Sequence, residues 1–228
     1  MKLGLSNSIK NRGGEAAAFT PASLSGLQLW LKKGTGITNS SGSAASNTDA
    51  VYGWADQSGN DNHATGASNR FTYNAASGGI EGGGNNKLDL SAIDLSGFSF
   101  WIRVKFDSIS SGATDFMFTE AAGTDDFFRL QTSTQFKAKI DGGTAMTWTC
   151  SEIEVDTFYN IGFERDAGNK INAYIGTTAQ DSYESNSNEF NLSRILANFD
   201  GIGLEIVVTN ANLSSSDRTN LDTYLTNI

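Results

Sequence analysis

The chain has 228 residues, a formal net charge of -9 and a single cysteine. That balance argues against a nucleic-acid partner, whose phosphates need a basic face, and one thiol excludes an intrachain disulfide. Hydrophobic residues make up 38% and aromatics 11%, including 14 Phe, enough for a sizeable core, yet no stretch approaches the ~20 apolar residues of a membrane span.

Residues 1–25 follow neither a helical nor a strand period. Lys10 and Arg12 are basic in an acidic protein, Gly13-Gly14 interrupts, and Pro21 is the only proline. By composition this is a leader that does not fold alone. Its functional counterpart is an attachment arm that orders on another subunit, with Leu3, Leu5, Ile9 and Phe19 as apolar anchors and Lys10 and Arg12 as charged ones. Met1-Lys-Leu-Gly-Leu5 has one early charge and no apolar run behind it, so no signal peptide is expected.

Leu27-Gln-Leu-Trp-Leu31 alternates and predicts the first strand. Thr35 to Asp49 is small and polar, a long loop. Trp54 belongs to a strand end. The following Asp56 to Asn62 predicts a tight turn whose Asp, Ser and Asn side chains bond their own backbone. Phe71-Thr-Tyr73 and Lys87-Leu-Asp-Leu90 read as short strands separated by glycine-rich connections at Gly78-Gly79 and Gly82-Gly83-Gly84.

The strongest signal is Phe98-Ser-Phe-Trp-Ile-Arg-Val-Lys-Phe106. Phe98, Phe100, Ile102, Val104 and Phe106 take every second position, so a strand sends all five to one face. A single sheet cannot bury them, so a second layer must oppose it. Further strands are predicted at Phe116–Phe118, Phe127–Gln131 and Phe136–Ile140. Phe158–Arg165 and Lys170–Ile175 form a hairpin around the turn Asp166-Ala-Gly-Asn169. Residues 177–193 read as polar loop, and Gly201–Val208 as the last strand. Leu213–Leu225 is the one helical pattern: a serine cap and Asp217 open it, and Leu221 and Leu225 share a face.

Leu27-Gln-Leu-Trp-Leu31, then Trp54-Ala-Asp-Gln-Ser-Gly-Asn-Asp-Asn-His-Ala64, resembles the concanavalin A-like lectin/glucanase superfamily. The nearest branch is the laminin-G-like modules of bacterial and tailed-phage surface proteins. The hairpin and the terminal strand–helix pair resemble the same pattern, and Asp61 departs from it where glycine is frequent. The resemblance implies an all-β, two-sheet antiparallel β-sandwich of jelly-roll, concanavalin A-like type over residues 26–228. A short C-terminal helix closes it, and the arm of residues 1–25 extends from it.

The same resemblance frames the candidate chemistry. Laminarinase-type glucanases carry Glu-x-Asp-x-(x)-Glu on a strand. Glu152-Ile-Glu-Val-Asp156 departs from that order and reads as a solvated loop or edge strand. His63 is the only histidine, too few for a histidine metal cluster. Asp56, Ser58, Asn60 and Asn62 alternate like calcium-loop ligands, and some laminin-G-like modules bind calcium. Asp56 and Asn60 are therefore weak candidate ligands, although an EF-hand's sixth-place glycine and distal glutamate are missing. Trp30, Trp54, Trp101 and Trp148, with Tyr52, supply either core packing or a sugar-stacking platform, with Trp54, Trp101 and Tyr52 the named glycan-contact candidates. Cys150 reads as a buried structural thiol.

The resemblance implies a non-enzymatic virion structural or accessory protein, a capsid decoration or fibre protein, made in the host cytoplasm and displayed on the virion surface. Expected partners are capsid or tail proteins, a second copy of the chain, and glycans. The alternative is a carbohydrate-binding lectin module, and an active glucanase is the third reading. No cofactor is expected apart from calcium in the turn.

Overall fold

A computed structural model describes residues 18–66, 68–109, 115–185 and 187–228. In chain order its strands begin with β1 (Leu27–Leu31), β2 (Ile37–Thr38), β3 (Gly53–Trp54), β4 (Ala64–Gly66) and β5 (Thr72–Asn74). Next come β6 (Gly79–Gly83), β7 (Leu88–Leu95), β8 (Phe98–Phe106), β9 (Asp115–Thr119), β10 (Phe127–Thr132) and β11 (Gln135–Lys139). The set closes with β12 (Met146–Thr149), β13 (Phe158–Arg165), β14 (Lys170–Ile175), β15 (Thr178–Glu184), β16 (Phe190–Ala197) and β17 (Asp200–Thr209). A helix, α1 (Ser215–Thr226), follows the last strand.

The strands form two antiparallel sheets. One has eight strands in the order β15-β14-β13-β8-β17-β6-β5, with β1 sharing the free edge of β17 alongside β6. The other has nine, in the order β12-β11-β10-β9-β16-β7-β4-β3-β2. The sandwich and C-terminal helix expected from the sequence are both present.

β8 is the middle of the first sheet, paired with β13 and β17 along nearly its whole length. Phe98, Phe100, Ile102, Val104 and Phe106 all point into the core and are fully buried. Phe100 stacks on Phe98 at 4.4 Å and on Phe118 of the opposing sheet at 4.8 Å. Phe128 and Phe190 meet the same ring at angles. Burying a side chain of this size stabilises the fold by about 1.5–3 kcal/mol, and offset or edge-on ring pairs add to that.

The outer face of the eight-stranded sheet is covered as well. Helix α1 lies on it, placing Leu221 and Leu225 against Trp101, Val207 and Tyr174. Ser214 caps the helix by accepting the Asp217 amide at 3.1 Å. Trp101 lies flat over Gly162, where a Cβ would stand 2.6 Å from the indole ring. Three polar contacts fix the helix. Arg218 donates twice to Glu164 at 3.2 and 2.7 Å. Asn160 donates to Asp222 Oδ1 at 2.6 Å and to Thr226 Oγ1 at 2.9 Å. Buried Glu205 accepts from Trp30 Nε1 at 2.6 Å and interacts with Tyr224. Burial pushes the Glu205 carboxyl up, and those donors pull it partly back.

Four sequence expectations need correction. Residues 177–193 are mostly strand: β15 is a polar edge strand with no alternation to reveal it, and β16 has a register break after Leu192 that obscures its period. Gly79–Gly83 is a strand and not a connection, because the chain passes so close to its neighbours there. A Cβ on Gly82 would lie 2.6 Å from the Phe71 ring and 2.8 Å from the Phe199 carbonyl. The loop expected at 35–49 contains β2. Finally, the body begins before residue 26: Phe19, Pro21 and Leu24 pack with it, Leu24 and Phe19 joining the cluster under α1.

Candidate functional site

The connections β7–β8, β9–β10, β11–β12, β13–β14 and β15–β16 all emerge at one end of the sandwich. The register shows this directly, because Leu95 pairs with Phe190, Phe98 with Arg165, Phe127 with both Thr119 and Lys139, and Lys170 with Glu184. Two depressions lie side by side on this rim. The first, of about 410 Å³, is lined by Ile140, Gly143, Thr144, Met146, Tyr183, Glu184 and Ser185. It sits where the edge strands β12 and β15 of the two sheets meet. The second, of about 380 Å³, is lined by Asp94, Asp126, Asp141, Asn188, Glu189 and Asn191.

The rim is held by its own polar side chains. Asp126 accepts the Asp141 amide at 2.7 Å and the Asn191 amide at 3.2 Å, tying the β9–β10 and β11–β12 connections to the start of β16. Burial raises the Asp126 carboxyl above its ordinary range, and those two amides hold it back. Asn188 donates to Asp141 at 2.7 Å, and Asn191 to Asp94 at 2.7 Å. Arg165, 2% exposed, donates to the carbonyls of Ser96 and Asn188. Such fixed loops present their remaining groups without further ordering cost.

Tyr183 is 40% exposed and is one of three large hydrophobic side chains so exposed among the described residues, with Tyr52 and Val155. It stands on edge strand β15 at the mouth of the first depression, with Glu184 and Thr144 beside it. An amphipathic ring with an open face, flanked by a carboxylate and a hydroxyl, suits the apolar face and the hydroxyls of a sugar.

The glycan-contact candidates read from the sequence fall elsewhere. Trp54 is fully buried in the core, its indole donating to the Lys32 carbonyl at 3.0 Å. Trp101 is fully buried beneath α1 and donates to Glu164 at 3.2 Å. Trp30 and Trp148 are also buried. All four rings fill layers between secondary-structure elements, so none offers a stacking face. Tyr52 is exposed, but the Arg70 guanidinium lies over its ring at 3.8 Å. It also sits at the β2–β3–β4 end of its sheet, at the opposite end of the strand order from β12.

The turn at Asp56 is self-bonded. The Asp56 carboxylate accepts the amides of Trp30, Ser58 and Asn62 and the Ser58 hydroxyl. Asn60 and Asn62 donate to carbonyls of β1. His63 Nδ1 accepts the Asp56 amide at 3.1 Å. The motif thus clamps the turn to the first strand and leaves Asp56 no free oxygen for calcium. No group of three or more metal-ligating side chains occurs among the described residues.

Glu152, Glu154 and Asp156 lie in the connection from β12 to β13, at the far end of the sandwich from the rim. Asp156 pairs with Lys105 at 3.1 Å there. Cys150 is buried, and that burial pushes its thiol up to about 12, as an inert structural thiol requires. Of the arm anchors, Leu3, Leu5, Ile9, Lys10 and Arg12 lie outside the described residues. Phe19 packs edge-on against Tyr224 of α1 at 6.3 Å.

No family model matches the chain, and no curated protein matches it in sequence. Solved structures do match in shape. Domain 4 of an extracellular arabinanase from Geobacillus stearothermophilus, in complex with arabinotriose, superposes with a TM-score of 0.58 at 16% identity. That match covers 86% of this chain and 98% of that domain. Trypanosoma rangeli sialidase gives 0.60 at 13% identity over 88% of this chain, which spans 33% of the sialidase chain. The binding domain of botulinum neurotoxin DC, in complex with SialylT, gives 0.59 at 12% identity, covering 90% of this chain and 52% of that one. These likenesses show a two-sheet β-sandwich fold. They lend no support to the virion association.

Proposed function

We propose that this chain is a non-catalytic carbohydrate-binding module that takes a glycan at the rim between β12 and β15. The observation that carries the reading is the 410 Å³ cleft with Tyr183 at its mouth, beside Glu184 and Thr144. Support comes from the similar structures, one solved with arabinotriose and another with SialylT. Those are properties of those proteins, and sandwiches of one shape serve many functions.

A catalytic reading is weaker on chemistry. Glycoside hydrolysis uses two carboxyl groups flanking the bond, one of them free to deliver a proton. On this rim both Asp126 oxygens are occupied by backbone amides, Asp94 and Asp141 each accept an asparagine amide, and the remaining two, Glu184 and Glu189, line different depressions. The glucanase-like carboxylates lie at the other end of the molecule.

The test is calorimetry of the intact chain with glycans selected from an array, followed by Tyr183→Ala. Removing an open stacking ring should weaken binding about tenfold or more, or ~1.4 kcal/mol, with the thermal midpoint preserved because the ring is exposed. Full affinity in Tyr183→Ala would remove this cleft from consideration.

A further inference from the structure

We infer that the rim selects uncharged glycans and turns away those carrying carboxylate or sulfate groups. This rests on the glycan-binding reading and adds the class of ligand. The two adjoining depressions are lined by five carboxylates, Glu184, Asp94, Asp126, Asp141 and Glu189, and by no lysine or arginine. None of the five forms an ion pair within 4 Å among the described residues.

The nearest cations do not serve an anionic ligand. Arg165 is 2% exposed and spends one nitrogen on the Ser96 and Asn188 carbonyls. Lys139 reaches the rim but is committed to Asp125 at 3.3 Å and to the Thr124 carbonyl at 3.0 Å. Lys170 faces Glu184 across the β14–β15 pair and lies near Asp166, which it helps hold in the ionised form.

A sugar hydroxyl donates readily to a carboxylate, so the same side chains that repel an acidic sugar are good acceptors for a neutral one. Placing a like charge among them costs affinity and slows encounter, most of all at low ionic strength. The fixed loops make this permanent. Asp126 and Asp141 are locked by the hydrogen bonds that build the rim, so the negative field cannot be folded away when an anion approaches.

The experiment uses the full chain on an array of neutral oligosaccharides printed beside their sialylated, uronate and sulfated counterparts, read at low and at physiological ionic strength. Expected hits are neutral, with acidic counterparts at least about tenfold weaker and the gap narrowing as salt rises. Glu189→Lys, at an exposed position whose side chain has no hydrogen-bond or ion-pair partner among the described residues, should shrink the gap several-fold with the fold intact by melting. An acidic glycan bound as tightly as its neutral counterpart, with that binding lost in Tyr183→Ala, would overturn the charge selection while leaving the glycan-binding site standing. No binding to any printed glycan would instead remove the binding reading itself, and the selection with it.

Discussion

Replacing Arg218 by methionine tests how the helix is held to the sandwich. Glu164 is 2% exposed, and its partners are Arg218, through two hydrogen bonds, and the Trp101 indole. The Arg218 guanidinium also covers the Tyr174 ring at 4.2 Å. Deleting one member of a buried pair strands the other charge, typically at a cost of about 3–5 kcal/mol. The loss at pH 7 should fall in that range, with the packing over Tyr174 lost besides. Urea unfolding of both proteins, followed by tryptophan emission, measures it. The double variant Glu164→Gln/Arg218→Met should recover much of the loss, because no charge is left buried. A loss below ~1 kcal/mol at pH 7, or no recovery in the double variant, would refute this account of the helix interface.

Other expectations follow from the same contacts. Phe100→Ala should lose about 3–5 kcal/mol, and Ser99→Ala about 1–3 kcal/mol, because buried Ser99 both donates to the Ala211 carbonyl and accepts the Leu213 amide; urea unfolding compares them, and a near-zero loss for Ser99→Ala would deny that bridge. Asp115 is buried beside Asp200 and pushed up to about 6, so its ionised form opposes folding above that pH and stability is gained as pH falls from 7 toward 4. Asp115→Asn should raise the melting temperature at pH 7.5 and change it little at pH 4.5, and equal shifts at both would contradict the assignment. The Cys150 thiol should stay silent to a thiol reagent in native buffer and react fully in denaturant. A chain begun at Leu24 loses Phe19 from the helix-side packing and the buried Pro21, and calorimetry should find it about 1.5–3 kcal/mol less stable than the full chain.

How much of this was legible from residues alone varied with the kind of signal. β8 was readable because five large apolar side chains alternate without a break, and period-two burial fixes both the strand and the need for a second layer. Ser214 and Asp217 placed the helix start within two residues. β15 was invisible for the opposite reason: Thr178-Ala-Gln-Asp-Ser-Tyr-Glu184 is an edge strand with no fully buried residue, so its strand character comes from pairing with β14 rather than from composition. β6 was hidden by its glycines, which permit close approach and supply no pattern.

The same contrast explains why the tryptophans named as glycan contacts are buried. Tryptophans were the conspicuous aromatics, and conspicuous aromatics in a sandwich are the ones most useful for filling it. Trp101 packs over Gly162 because α1 must cover something broad and apolar, and Trp54 closes the core behind β3. A side chain free to meet a ligand has to be one the core does not claim, and an edge strand is where the core's claim ends. Tyr183 meets that condition: it stands on the least buried strand of its sheet, where β15 approaches β12 and the two layers come together. The acidic rim beside it was equally unreadable, because Asp94 comes from the end of β7 and Asp126, Asp141 and Glu189 from three separate connections, and they converge only through the pairing of seven strands. The arrangement that carries the proposed chemistry is thus a product of topology, and substitutions at Tyr183 and Glu189 separate it from the core on which it rests.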